Sequence, residues 1–372
     1  MLVVSLDGLR PDRMGAYGAV QSSSPAIDTR LAADGTRFTY AYTAAPDGPA
    51  ASMSLLTGLA PCLHDVSSPD ASPVPGAQSL AELLSHAGWV TGGFTDGGQM
   101  LGNAAFARGF AVWNDERDGG TEAPFEAARR WVRGSGASPW FAFLHSVRLH
   151  VPDSPPSREP GSPGGEGAPA ARYDAAVRDV DDRLGKLLAD LRDAGTLDET
   201  LVVLTAGHGE QLGEHGLWGH GNSLYDTLLH VPLVIRGPSL GIEKGKAIDW
   251  YVSLVDVVPT VLELLGLPPP SRQSGVSLVP LLRGGAPAPH LLFAEDGRGG
   301  LAARQIVSTR LKIIGHRDAP DFRVFHVPKD PDELVDLAAQ VPTDTNAWIG
   351  IEGTLAIARG MRRQALDRCP PR

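Results

Sequence analysis

Cysteine is nearly absent from this chain: its 372 residues include only Cys62 and Cys369. Two thiols make neither a disulfide framework nor a zinc-type cluster, and Cys62, beside a turn, reads as a lone thiol without a role. No apolar run approaches the roughly 20 residues a membrane-spanning helix needs. Nor does a basic and apolar leader precede the strand-like run that starts at Leu2. As written, the chain is expected to be cytoplasmic with no transmembrane segment, or periplasmic or secreted if an upstream segment is missing. Positive charge is also scarce, with 33 Lys and Arg against 43 Asp and Glu and a formal net charge of −10. That balance gives nucleic acid or an anionic membrane no electrostatic reason to bind. An anionic ligand would have to rely on local charge.

What is present suits a globular protein. The length allows a sizeable core and about two domains. Two β-branched apolar runs end in polar or glycine-rich residues: Leu2–Leu6, followed by Asp7-Gly8, and Val202-Val203-Leu204, followed by Thr205-Ala206-Gly207-His208-Gly209-Glu210. Such runs read as buried parallel strands. In open α/β sheets the carboxyl edge of those strands is where ligands bind, so Asp7 and His208 are placed in one site.

Between and beyond them the pattern alternates. Helices are expected over 26–35, 50–59, 80–86, 125–132 and 254–265, and strands over 38–43, 90–94, 140–144 and 231–235. The stretch 152–169, rich in Pro, Gly and Ser, reads as a surface loop. After it Val177, Val180, Leu184, Leu187, Leu188 and Leu191 follow helical spacing, closed by Gly195. A Pro- and Gly-rich run over 284–289 precedes strand-like runs at 291–293, 305–308, 311–314 and 322–326. The expected organisation is an α/β domain over 1–285 and a small C-terminal α+β subdomain over 286–372, built on an antiparallel sheet. No internal repeat is visible.

Several segments resemble one known family. Leu6-Asp7-Gly8-Leu9-Arg10-Pro11-Asp12 is similar to the opening Asp-rich motif of the sulfatase family, within the alkaline phosphatase superfamily. Residues 41–58, ending Ser54-Leu55-Leu56-Thr57-Gly58, resemble its nucleophile segment, and 140–156, with His145 and His150, its histidine loop. Residues 205–221 resemble its Thr-Ala-Asp-His-Gly-Glu segment, and 252–282 and Glu333-Leu334-Val335-Asp336-Leu337 match later landmarks in order. The resemblance implies an α/β/α sandwich on a mixed, mostly parallel sheet, and a small sulfate or phosphate ester as substrate. It also implies a divalent cation, usually calcium, on hard oxygen ligands. A nucleophile at a helix start, formylglycine in sulfatases, would attack while His and Lys side chains meet the sulfate oxygens and leaving group.

Carried over residue by residue, the nucleophile position is Gly48, where no formylglycine can form. Ala50-Ala51-Ser52 stands where Pro-Ser-Arg normally follows. Of the metal ligands Asp7 and His208 remain, while Gly8 and Gly207 stand at lost positions, although one branch of the family also lacks a carboxylate at the first. Thr95-Asp96-Gly97-Gly98 does not match the family's Gly-Lys-x-His element. His145, His150 and His220, the last where many members have Lys, are expected to line a pocket that could still accept an anion.

Each residue also has a plainer reading. Asp7 reads as a loop or capping carboxylate, Asp47 as the N-cap of the helix beginning at Pro49, and Ser52 as facing pocket wall or solvent. His208 alone would be a loop histidine, and Trp140 and Trp218 core residues. Two functions follow. One is a sulfatase-like pseudoenzyme that binds without hydrolysing. The other is an active sulfuric or phosphoric ester hydrolase in which Asp7, Asp47 and His208 hold a metal-bound water while His150 and His220 meet the oxyanion and leaving group. A carboxylate filling the place vacated at Gly207 would separate them, and Asp47 is the nearest candidate.

Overall fold

The chain begins with its most central element. β1 (Leu2–Leu6) is buried along its whole length because a parallel neighbour lies on either side, β5 (Trp140–Ser146) and β6 (Val202–Thr205). A strand covered on both faces has no polar side to alternate with, hence its nearly continuous apolar run. The structure, a computed structural model, describes the chain except residues 69, 101–103, 116–122, 137, 151–167, 286–290, 298–299, 306–310, 317, 320, 340–366 and 368–372.

β2 (Thr36–Tyr42), β3 (Val90–Thr95), β4 (Val112–Asn114), β9 (His230–Arg236) and β10 (Lys246–Ser253) complete an eight-stranded sheet in the order β10-β2-β9-β6-β1-β5-β3-β4. β9 alone runs against the rest, so the sheet is mixed and mostly parallel, as expected. Register then fixes the site: Ser5 lies beside His145 and Thr205, and Thr95 beside His145. The carboxyl ends of β1, β3, β5 and β6 therefore meet at one edge. β7 (Gln211–Leu212) and β8 (Trp218–Gly219) form a short ribbon just beyond β6.

Helices cover the sheet. The helix Ala168–Asp193 links β5 to β6 and buries the predicted stripe Val177, Val180, Leu184, Leu187, Leu188 and Leu191. The chain then turns at Gly195 with φ +70°. The helix Gly48–Thr57 is buried from Pro49 to Thr57 and ends at Gly58 in the left-handed region. Burial on all sides pins its first residue in place. The expected helix over 26–35 is instead one short turn, Pro25–Ile27, running into a wider π-type turn, Asp28–Ala32. The Asp181 carboxylate accepts from the N–H groups of Ala26 and Ile27 there, fixing the start of the segment. Cys62, read as a lone thiol, is disulfide-bonded.

Near the C-terminus β11 (Leu291–Glu295), β12 (Gly300–Gln305), β13 (Leu311–His316) and β14 (Phe322–His326) form an antiparallel sheet in chain order. β12 begins after a turn in which the Gly300 N–H donates to Asp296 Oδ1 at 2.7 Å, and of the strand expected over 305–308 only Gln305 is described. Residues 306–308 and most of the expected boundary over 284–289 lie outside the described residues. Ile314 and Phe325 pack with Tyr42, Tyr251 and Leu292. The Lys312 ammonium, buried, lies 2.6 Å from both Asp226 and Glu333 carboxylates. Glu333, the first residue of the later landmark motif, also accepts from the Asp226 N–H.

Removing one member of a buried charge cluster leaves the others uncompensated. Lys312→Met is expected to lower unfolding free energy by about 3–5 kcal/mol, read from urea melts; a change near zero would contradict the role of the cluster.

Candidate functional site

Asp7 follows β1 directly and is fully buried. Its Oδ1 accepts from the Ser5 hydroxyl at 2.9 Å and the Gly207 N–H at 2.8 Å. Its Oδ2 accepts from His145 Nε2 at 2.9 Å, while His208 Nε2 stands 3.8 Å away. Burial alone would raise the Asp7 carboxyl, but the His145 charge and hydrogen bond outweigh it and hold the group well below the usual carboxylate range. For His145 the opposing causes are burial, which lowers, and Asp7, which raises; the net shift is upward. Hydrogen bonding agrees. His145 Nδ1 meets Thr95 Oγ1 at 2.8 Å, and that hydroxyl is turned toward the Gly97 carbonyl. Both ring nitrogens of His145 thus face acceptors, the arrangement of an imidazolium.

The residues matched to the metal site are placed as follows. Gly207 lies so close to Asp7 that a Cβ there would stand 2.6 Å from Oδ1. Gly8 has φ +92° and donates its N–H to the His208 carbonyl at 2.9 Å. A Cβ on Gly8 would press on Leu149 at 3.1 Å. A hard cation such as calcium wants 6 or more oxygens. Here the single carboxylate already has both oxygens engaged by three donors, and no side chain can be added at 207 unless Asp7 moves. These residues do not fit calcium.

Gly48 is the first residue of the helix Gly48–Thr57. A Cβ there would meet only Asp7 Oδ2 within 4 Å, at 3.8 Å, so the position faces the site across open space. Asp47 caps the helix, its side chain accepting from the Ala50 N–H at 3.4 Å. Asp47 is not among the residues lining the cavity described below. Ser52 faces the wall of the cavity, not solvent: it is fully buried and its Oγ has no hydrogen-bond partner.

The cavity measures about 120 Å³ and is lined by Asp7, Gly48, Ser52, His145, His150 and His220 among others. No Lys or Arg is among the described residues lining it. On one side three imidazoles are crowded together, with ring centroids of His150, His208 and His220 separated by 4.1 to 5.1 Å. His208 Nδ1 donates to the Gly209 carbonyl at 2.7 Å, and His220 Nδ1 to the buried Glu210 carboxylate at 2.9 Å. Burial first, then the neighbouring imidazoles, depress His150 to about 2 and lower His208 as well. Both shifts favour the neutral ring.

Sequence reasoning brought Asp7, Gly48, Ser52, His145, His150, Gly207, His208 and His220 to one place, and the structure assembles them there. It missed Ser5, Thr95 and Glu210. Ser5 and Glu210 each sit two residues from a site residue on the same strand end, a spacing that could have drawn notice. Arg10 holds the loop after β1, reaching Asp12, the Glu214 carboxylate and the Glu210 carbonyl. Tyr173 donates to the Gly8 carbonyl beside it.

A strand-edge site of this kind, on this sheet, defines a class. A family model described as Sulfatase matches residues 1–267, and one described as N-sulphoglucosamine sulphohydrolase, C-terminal, matches 213–346. The chain belongs to the sulfatase family of the alkaline phosphatase superfamily. Among curated proteins it is similar to arylsulfatase K of Danio rerio, 34% identical over 181 residues that make up 46% of this chain and 34% of the relative. The human arylsulfatase K is 32% identical over 188 residues, 47% of this chain and 34% of that protein. The chain thus matches about a third of the length of these relatives. Among solved structures, phosphonate monoester hydrolase of Agrobacterium radiobacter superposes with a TM-score of 0.76 at 21% identity, covering 98% of this chain and 95% of that one. A 2-O GAG sulfatase gives 0.80 at 19% identity, with 99% and 92% covered. These two likenesses speak for the fold.

The two glycines at the matched positions differ sharply in the room around them. Gly48→Ala is expected to stabilise the protein by about 0.4–1 kcal/mol, since the unfolded chain loses freedom and nothing clashes. Gly207→Ala is expected to cost about 1–3 kcal/mol, since the methyl group overpacks against Asp7. Urea midpoints of both variants check this, and a Gly207→Ala protein as stable as the parent would contradict the closed geometry.

Proposed function

We propose that this sulfatase-family chain no longer hydrolyses esters by covalent catalysis and works as a binding protein built on a hydrolase fold. The observation that carries the reading is Gly48. It begins a helix at a position where an added Cβ would lie 3.8 Å from Asp7 Oδ2, and glycine has no side-chain atom with which to attack. Loss of a nucleophile costs on the order of 10⁶ in turnover where it works as part of a catalytic unit. Ser52 is a poor substitute, because a serine nucleophile needs an adjacent base and its Oγ has no partner. The engagement of both Asp7 oxygens supports the same conclusion.

The ligand class carried by the family is a small sulfate or phosphate ester. A related fold is known in complex with D-glucosamine-2-N,6-O-disulfate, with a TM-score of 0.78 at 18% identity. In this chain such an anion would meet histidines rather than the Lys of many members. No described helix is long and apolar enough to cross a membrane. The disulfide at Cys62 favours an oxidising compartment over the cytoplasm.

A second reading is hydrolysis by a metal-bound water. Asp47 caps its helix and is not among the cavity's lining residues, but the three crowded imidazoles favour this reading. Purified protein should be given chromogenic aryl sulfate and aryl phosphate with calcium, magnesium, manganese or zinc in turn. The expected result is no turnover above buffer with any of them. Turnover that needs calcium, magnesium or manganese and disappears in Asp7→Ala would overturn the proposal, and zinc-dependent turnover lost in His208→Ala would favour the second reading.

A further inference from the structure

We propose that His150, His208 and His220 form a binding site for a borderline-soft divalent cation of the zinc class, with Glu210 orienting the His220 ring. This site shares His208 with the metal site that the family resemblance implies, but its remaining donors are imidazole nitrogens in place of hard oxygen ligands.

Four groups set the geometry. One ligating atom from each of His150, His208, Glu210 and His220 lies within 4.8 Å of the others. Donors on a tetrahedral zinc ion with bonds of 2.0–2.1 Å stand roughly 3.4 Å apart. The observed spread exceeds that spacing, so the three imidazoles would draw closer together around an ion.

The hydrogen bonds decide which ring nitrogen faces inward. His208 Nδ1 lies 2.7 Å from the Gly209 carbonyl, an acceptor, so that nitrogen carries the proton and Nε2 carries the lone pair. His208 is fully buried, and its Nε2 has no hydrogen-bond partner. His220 Nδ1 faces the Glu210 carboxylate at 2.9 Å, which fixes the same tautomer. A carboxylate holding one imidazole nitrogen while the other binds metal is a recurrent arrangement that orients the ring and raises its basicity. His150 Nε2 is likewise buried and without a partner. Buried polar atoms are satisfied in nearly all native proteins, and the exceptions call for an ion, a water or a chemical role.

Charge selects the occupant. Imidazole nitrogens turning lone pairs inward repel an anion and attract a cation. Asp7 Oδ2, 3.8 Å from His208 Nε2, and Glu210 supply negative charge beside them. No Lys or Arg among the described residues lining the cavity competes. Nitrogen donors disfavour calcium and magnesium and suit zinc, cobalt, nickel or copper. Three protein nitrogens leave a fourth position open, and His150 and His220 line the cavity where a water or an anionic ligand could take it. A bound cation would add positive charge to a pocket whose imidazolium, His145, is already paired with Asp7.

The inference stands without the loss-of-hydrolysis reading, and binding is measured with no ester present. Untagged, chelator-treated protein is titrated with zinc chloride by calorimetry and with cobalt(II) by visible absorption. The expected result is one equivalent bound, a tetrahedral cobalt spectrum, and no competition from millimolar calcium. His208→Gln and His150→Ala should each weaken zinc binding by 100-fold or more, and Glu210→Gln by roughly 10–100-fold. His150 is only partly buried, so its variant serves if the His208 variant misfolds. No binding, or binding unchanged in both histidine variants, overturns the proposal. Zinc-dependent ester turnover would overturn the loss of hydrolysis and leave the metal site standing.

Discussion

The ion pair between Asp7 and His145 is the constraint on which the rest of the site depends. A carboxylate buried at the end of a central strand must be compensated, because an isolated buried charge is far too costly. The compensation comes from within the protein: His145 at 2.9 Å, the Ser5 hydroxyl and the Gly207 N–H. The sheet makes it possible, since the register that sets Ser5 beside His145 brings the imidazole to the carboxylate without any loop having to reach. Thr95, one strand further on, takes the other nitrogen.

The same pair explains the two glycines. At 207 the backbone comes close enough to hydrogen-bond Asp7, so a side chain is excluded. At 48 the chain stays open and carries no attacking atom. The pocket is thereby divided. One half is closed around an internal salt bridge, and the other holds three crowded histidines, two of them with buried, unpartnered nitrogens.

Much of this was legible in the residues. Two apolar runs ending at Asp7 and His208 were enough to place a site at a strand edge, and Asp47-Gly48-Pro49 announced a capped helix. The stripe from Val177 to Leu191 was read correctly because helical periodicity survives in any context. Other features depend on partners distant in sequence. The reversal of β9 follows from its neighbours, not from its own residues. Nothing local distinguishes His145 as the partner of Asp7, because that contact exists only once β1 and β5 pair. The disulfide state of Cys62 was hidden for the same reason. Glu210 reads as one more acidic loop residue until the fold brings His220 back to it. The chain over 26–35 carried a helical pattern, yet it folds as one short helical turn running into a wider one, with its start fixed by Asp181.

The most direct test of the account is a crystal structure of the protein grown in millimolar calcium. The account predicts His145 Nε2 still within hydrogen-bonding distance of Asp7 Oδ2, with no ion on that carboxylate. An ion about 2.3–2.6 Å from Asp7, the calcium–oxygen distance, with His145 displaced, would contradict it.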